Sequence, residues 1–182
     1  MTENTGKRTD YAQIIEEITQ ELQATAADAL KAVMQSGLRQ VICAIGAESG
    51  SVWLYEKEKD GRIYPSFWIS NADLTGLSLS LGEGVAGAVV QIGQPLIVND
   101  CRNDARWAGR FDQKTGFETK SMVCVPMVDE QEVIGCIQII NKKDDSLYCD
   151  EDVNLCENLA VLIAKALRKN MHENLHNLYN DK

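Results

Sequence analysis

The chain has 182 residues, 45% hydrophobic and 25% charged, enough for one ordinary domain with its own core and unlike a disordered or fibrous composition. Eighteen Lys and Arg against 27 Asp and Glu give a net charge of −9, which repels phosphate backbones and anionic headgroups, so neither nucleic acid nor a membrane surface is an expected partner. No apolar run reaches membrane-spanning length and residues 1–10 lack the apolar stretch of a secretory signal, so the expectation is a soluble, cytoplasmic protein.

Tyr11, Ile14, Ile15, Ile18 and Leu22 recur at helical spacing behind Asp10, a candidate N-cap, and predict a helix over 11–23. A second helix is expected to start near Thr25 and Asp28 and to run to Gly46, with Leu30, Val33, Met34, Leu38, Val41, Ile42 and Ile45 on its apolar face. The period then falls to two. Residues 51–55 and 62–70 read as strands joined by a hairpin at Asp60-Gly61, and 77–81 as a further short strand. A brief helix over 84–91, a strand over 96–98 and an aperiodic stretch over 99–119 follow. Residues 121–127 and 132–140 read as central strands around a turn at Asp129 and Glu130. From Asp150 an apolar stripe runs through Val153, Cys156, Leu159, Ile163, Leu167, Met171, Leu175 and Leu178, longer than one compact core needs. Helices, strands, then a helix imply an α+β fold with a central antiparallel sheet, and the surplus stripe implies a homodimer through the terminal helices.

The six cysteines, Cys43, Cys101, Cys124, Cys136, Cys149 and Cys156, contain no C-x-x-C pair and read as reduced core thiols, so no metal site is expected. Gly82-Glu-Gly-Val-Ala-Gly87 matches G-x-G-x-x-G, with Asp100 downstream as a candidate ribose-binding acid. It follows two helices and a hairpin rather than the first strand of a βαβ unit, so it reads as a tight turn at a helix start. His172-Glu-Asn-Leu-His176 matches the zinc-protease motif H-E-x-x-H, yet the chain holds no other histidine and the motif sits at the end of the last helix, so it reads as a solvated helix face. No nucleophile elbow and no Walker loop occur, and no catalytic residue is assigned.

Unusual residues are dense from Leu81 to Asp152. The blocks LGEGVAGAVVQIGQPLIVND, RWAGRFDQKTGFETKSMVCVPM, EVIGCIQIINK and YCDED, in this order and spacing, resemble the GAF domain family, closest to the type found in cyclic-nucleotide phosphodiesterases and adenylyl cyclases. The resemblance covers about residues 25–168, leaving 1–24 as a tail and helix and 169–182 as a helical extension. It implies a sheet with helices on one face and a small-ligand pocket under the connections on the other, hence a sensory module rather than an enzyme, with terminal helices relaying its state to an effector domain or partner protein. The ligand-binding residues it implies are Asp112, Thr115 and Thr119 from the Asp, Thr-Gly, Thr pattern, and Val85 and Ala86 from the glycine turn. Trp107 and Trp68 are added as aromatic walls, and Ser51 and Gln138 as strand residues facing the same cavity. No cofactor is required, and cyclic AMP or cyclic GMP is the possible ligand. Gln138 stands where an acid is often found, so the choice between the two is open. Asn141, Lys142, Tyr148 and Asp152 match the family's structural motif, while Val153 replaces its Glu. Two alternatives accompany this reading. One is a GAF-fold free methionine sulfoxide reductase using Cys101 or Cys124, although cysteines between Asp104 and Ser121 are missing. The other is a dimerisation module whose cavity is filled by Trp68, Trp107 and Phe111.

Overall fold

The computed structural model describes residues 11–25, 29–107 and 109–180, with side chains described up to 169. Helices α1 (Tyr11–Ala24) and α2 (Leu30–Ile45) precede strands β1 (Ala47–Glu56), β2 (Arg62–Ile69) and β3 (Leu79–Ser80). Then come α3 (Gly84–Ile92), β4 (Leu96–Val98), α4 (Arg110–Thr115), β5 (Met122–Asp129), β6 (Glu132–Lys142) and the long α5 (Asp150–Asn180). Among the described residues the strands form one antiparallel sheet in the order β3-β2-β1-β6-β5-β4. The fold is therefore α+β, with β1 and β6 at the centre. In the described residues no helix is long and apolar enough to cross a membrane.

Both faces of the sheet are apolar because both are covered, and strand alternation divides the residues between them. Val52, Phe67, Val123, Val125, Ile137 and Ile139 face α1, α2 and α5, where Ile18, Leu38, Val41, Leu159 and Ile163 complete the larger core. Trp53, Ile63, Cys124 and Cys136 face the other way and pack on Val85, Ala86, Val89 and Val90 of α3.

The end of β6 ties these layers together. Asn141 Nδ2 donates to Glu48 Oε2 (2.8 Å) and to the Glu118 carbonyl (2.7 Å), while its Oδ1 accepts from the N–H groups of Lys120 (2.8 Å) and Ser121 (3.2 Å). All four hydrogen-bonding positions of one amide are used, and they join β1, the connection before β5, and β6. Next in the chain, Lys142 Nζ lies 2.6 Å from Asp152 Oδ2, with the two side chains 10% and 3% exposed. Lys142 also donates to the Leu147 carbonyl (3.2 Å) and sits 5.3 Å from the centre of the Tyr148 ring. Asp152 Oδ2 reaches back to accept the Cys149 N–H (3.0 Å), which satisfies a donor at the start of α5. Asn99 and the Tyr148 backbone exchange two further bonds (2.8 and 3.3 Å), fixing β4 to the same loop. Burial, and then the Asp152 carboxylate, push the Tyr11 hydroxyl up to about 12, so α1 also packs onto this corner.

Several expectations are corrected. Thr25 donates to the Glu21 carbonyl (2.5 Å) at the end of α1 instead of starting α2, and Asp10 and Asp28 lie outside the described residues. The 77–81 strand shrinks to two residues, because only Leu79 and Ser80 find partners on β2. The aperiodic stretch holds a turn of 3-10 helix at Cys101–Asn103 and the six-residue α4. The β5–β6 turn is centred on Glu130 and Gln131, which take positive φ values of 45° and 79°, one residue later than expected. Cys43 and Cys149 are exposed rather than core residues, the first on the outer side of α2 and the second at the start of α5, where its Sγ lies 3.5 Å from Asp152 Oδ2.

The corner makes paired predictions for urea unfolding. Lys142→Met leaves the Asp152 carboxylate buried without its cation and should cost about 3–5 kcal/mol. Tyr148→Phe removes a hydroxyl that is buried with no hydrogen-bond partner among the described residues and should leave stability unchanged or raise it. Equal losses from both substitutions would contradict this account.

Candidate functional site

The glycine turn opens α3. The Gly82 N–H donates to the Gly87 carbonyl and the Gly87 N–H to the Glu83 carbonyl (both 3.0 Å), folding the turn onto the first helical residues. A Cβ at Gly87 would lie 2.6 Å from the Ser80 carbonyl oxygen, so the glycine is required by close packing of α3 on β3. Glu83 has extended backbone and no side-chain cap serves the helix, leaving the first-turn N–H groups of Val85 and Ala86 without an intrahelical acceptor. Asp100, the candidate ribose acid, caps the 3-10 turn instead, accepting from the Asn103 N–H (3.3 Å) and Asn103 Nδ2 (2.7 Å).

Next to this turn lies a cleft of about 100 Å³ that opens to solvent, tighter than the roughly 300–1,000 Å³ of most small-molecule sites. Its floor is the sheet. Ser49 and Ser51 of β1 and Gln138 of β6 share one face, with Ser51 directly opposite Gln138, and all three are buried. Trp53 Nε1 donates to Ser51 Oγ (2.8 Å), and Gln138 Nε2 makes a 3.5 Å contact with Met122 Sδ. One wall is Gly84, Val85 and Ala86; the other is Trp107, Phe111, Asp112 and Thr115, with Phe117 and Thr119 beyond. The rest is apolar, from residues such as Leu74, Leu77 and Ile140. Among the described residues lining the cleft there is no Lys or Arg, and Asp112 is the one carboxylate.

Local chemistry places the second wall. Asp104 accepts from the Arg106 N–H (2.8 Å) and pairs with its guanidinium (2.6 Å), which holds the Asp104 carboxyl down at about 2. The Trp107 N–H then donates to the Asp104 carbonyl (3.0 Å), and the ring lies over Gly109, where a Cβ would come within 2.9 Å of it. Asp112 accepts from both the N–H (2.6 Å) and the Oγ1 (2.7 Å) of Thr119. Thr115 Oγ1 donates to the Phe111 carbonyl (2.8 Å) and accepts from the Phe117 N–H (3.3 Å). These three residues thus line the cleft and also hold its wall in shape.

Eight of the nine sequence-predicted ligand residues come together here: Ser51, Val85, Ala86, Trp107, Asp112, Thr115, Thr119 and Gln138. Trp68 does not. It pairs with Ser51 across the strands but lines a separate surface recess with Arg39, Glu48 and Lys143. Sequence reading missed Ser49, which strand alternation would have found, and Met122, which lies opposite Ile140 on the neighbouring strand. His172 and His176 fall within α5, and their side chains lie outside the described residues.

A cleft bounded by a sheet, a helix start and an ordered connection defines an α+β module of the kind the sequence resembles. A family model for the GAF domain matches residues 27–168, and the chain belongs to that family. It is 32% identical over 91 residues to the probable 3′,5′-cyclic phosphodiesterase pde-5 of Caenorhabditis elegans, covering 50% of this chain and 12% of that protein. It is 36% identical over 72 residues to the dual 3′,5′-cyclic-AMP and -GMP phosphodiesterase 11 of Drosophila melanogaster, covering 39% of this chain and 5% of that protein. It therefore matches only a small part of the length of these relatives. Among solved structures, the GAF domain of a phosphoenolpyruvate-protein phosphotransferase from Coxiella burnetii superposes with a TM-score of 0.77 at 20% identity, covering 91% of this chain and 97% of that one. The free methionine-R-sulfoxide reductase of Neisseria meningitidis gives 0.75 at 15% identity, covering 95% and 97%. These likenesses show the fold.

The buried thiols are poorly disposed to react. Burial, reinforced by nearby carboxylates, pushes Cys101 up to about 12. Burial also raises Cys124 and Cys156, and a neighbouring Cys136 adds to the shift at Cys124. The Glu151 carboxylate also raises the exposed Cys149, so a thiol-specific reagent at pH 8 should modify Cys43 first and Cys149 more slowly in the native protein and reach the other four only on unfolding. Rapid native labelling of Cys101 or Cys124, read by peptide mass, would contradict this.

Proposed function

We propose that this GAF domain is a sensory, regulatory module of cytoplasmic signal transduction whose cleft holds a cyclic nucleotide. The observation that carries the reading is the cleft itself: apolar walls, a polar floor of Ser49, Ser51 and Gln138, and two helix-start N–H groups. A purine needs flat apolar walls and a few edge contacts, and a singly charged cyclic phosphate suits backbone N–H groups at a helix start. In this reading the phosphate meets Val85 and Ala86, Trp107 stacks on the base, and the floor hydroxyls and Gln138 read its polar atoms. The Gln138 carboxamide offers both donor and acceptor, which accommodates cyclic AMP and cyclic GMP alike. Asp112, Thr115 and Thr119 act chiefly by holding the wall, since their groups are engaged with one another and with backbone. The names of the matched relatives, cyclic phosphodiesterases, support the same ligand class.

The relay follows from α5 and α1. In our reading these helices pair with a second copy and pass the state of the cleft to an effector domain or partner. The corner at Lys142 and Asp152 is where β6, whose Gln138 forms part of the floor, is fastened to α5. The reductase alternative requires an attacking thiolate, and the raised thiols of Cys101 and Cys124 weigh against it. Of the three side chains the filled-cavity alternative invokes, Trp68 lines a separate recess while Trp107 and Phe111 line the cleft.

Thermal melting with each nucleotide tests the ligand. At about a hundredfold excess over Kd the native state gains about 2.7 kcal/mol, so Tm should rise by roughly 5–10 °C. A melt unmoved by millimolar cyclic AMP and cyclic GMP contradicts the nucleotide reading.

A further inference from the structure

The cleft offers an anion two backbone N–H groups but, among its described lining residues, no cation and one carboxylate, Asp112. Its floor is polar, and Ser49, 3% exposed, lines it beside Ser51 and Gln138. A cation outside the lining belongs to a bridge between the two walls. Glu83, immediately before the Gly84–Ala86 wall, accepts the Ser80 N–H with Oε2 (2.9 Å) and pairs through Oε1 with Arg110, immediately before the Phe111–Asp112 wall. The Arg110 guanidinium also lies 4.7 Å from the centre of the Phe111 ring, which lines the cleft, so its charge is held beside the cavity.

Resting on the reading of the cleft as a ligand site, we propose that Arg110 recognises the ligand's anionic group and that Glu83 competes with that group for the same guanidinium. Two features make the exchange inexpensive. The pair is partly open to water, with side chains 57% and 28% exposed, and exposed ion pairs contribute little to stability. Glu83 also keeps its bond from Ser80 when Arg110 leaves, so the glycine turn stays formed. An anion reaching the start of α3 meets the Glu83 charge until the guanidinium turns to it, which makes the bridge a charge filter as well as a clasp. A neutral molecule of the same shape is indifferent to it.

The test uses the full chain as wild type, Glu83→Gln and Arg110→Gln, titrated calorimetrically with cyclic AMP, cyclic GMP, adenosine and guanosine. Glu83→Gln should tighten binding of the bound cyclic nucleotide, and Arg110→Gln weaken it, each by about two- to five-fold, with nucleoside affinity unchanged. Shifts in the same direction in both variants, or equal shifts for nucleotide and nucleoside, would mean the bridge only braces the walls and would overturn the proposal. A second readout needs no nucleotide: quenching of Trp107 fluorescence by iodide and by neutral acrylamide in a Trp68→Phe background, Trp53 being buried. The iodide-to-acrylamide ratio should rise in Glu83→Gln and fall in Arg110→Gln; a ratio unchanged in both overturns the proposal. If wild type binds none of the four compounds, the nucleotide reading fails, and the quenching ratio alone decides the role of Arg110.

Discussion

The structure depends on a buried charge pair at the end of β6. Lys142 and Asp152 lie 2.6 Å apart in a corner almost sealed from water, where each ion would be costly alone and is tolerable only with the other and its surrounding hydrogen bonds. Because Asp152 also serves the start of α5, the pair fixes where the long helix begins. Asn141, one residue earlier, spends all its bonding capacity on β1 and on the connection leading into β5. One short segment therefore sets the relation between the central strands, the covering connection and the last helix.

That constraint leaves the opposite face free for another task. The helix side of the sheet is filled by aliphatic side chains, whereas the floor of the cleft interrupts apolar residues with Ser49, Ser51 and Gln138. Burying polar groups is unfavourable unless they find partners, and here the cleft is where a partner can arrive. A floor of this kind contributes less to folding than a dry core would, which fits a site shaped for a visiting molecule. The walls hold themselves through Asp112, Thr119 and Thr115, so in the proposed reading a ligand would meet backbone N–H groups, the floor, and the charge bridge beyond the rim.

Much of this was legible from the sequence where a single periodicity dominated. The apolar stripes of α1, α2 and α5 and the alternation in β1, β5 and β6 carry their own signal over eight or more residues, and the four blocks from Leu81 to Asp152 pointed to the family. Legibility ended where geometry is decided by neighbours. RFDQKT is too short at six residues to show a helical period, so α4 was hidden in an aperiodic stretch. Trp68 has the right strand parity to face the cleft, yet it sits near the end of β2, where the ring turns to a surface recess beside Arg39. Cys43 lies within an apolar segment, but its position on the turn of α2 directs it outward. Nothing local in the sequence pairs Glu83 with Arg110, which are brought together only when the glycine turn and α4 fold against the same cavity.

The central claim is that the cleft is a place for a small molecule rather than a by-product of folding. Native mass spectrometry of the protein purified gently from its own cells tests it most directly. The account predicts a chain, singly or as a dimer, carrying a stoichiometric adduct of a few hundred daltons that is released on unfolding and identified as a nucleotide by fragmentation. A bare chain mass after gentle purification, joined by no adduct when cyclic AMP or cyclic GMP is added back, would contradict it.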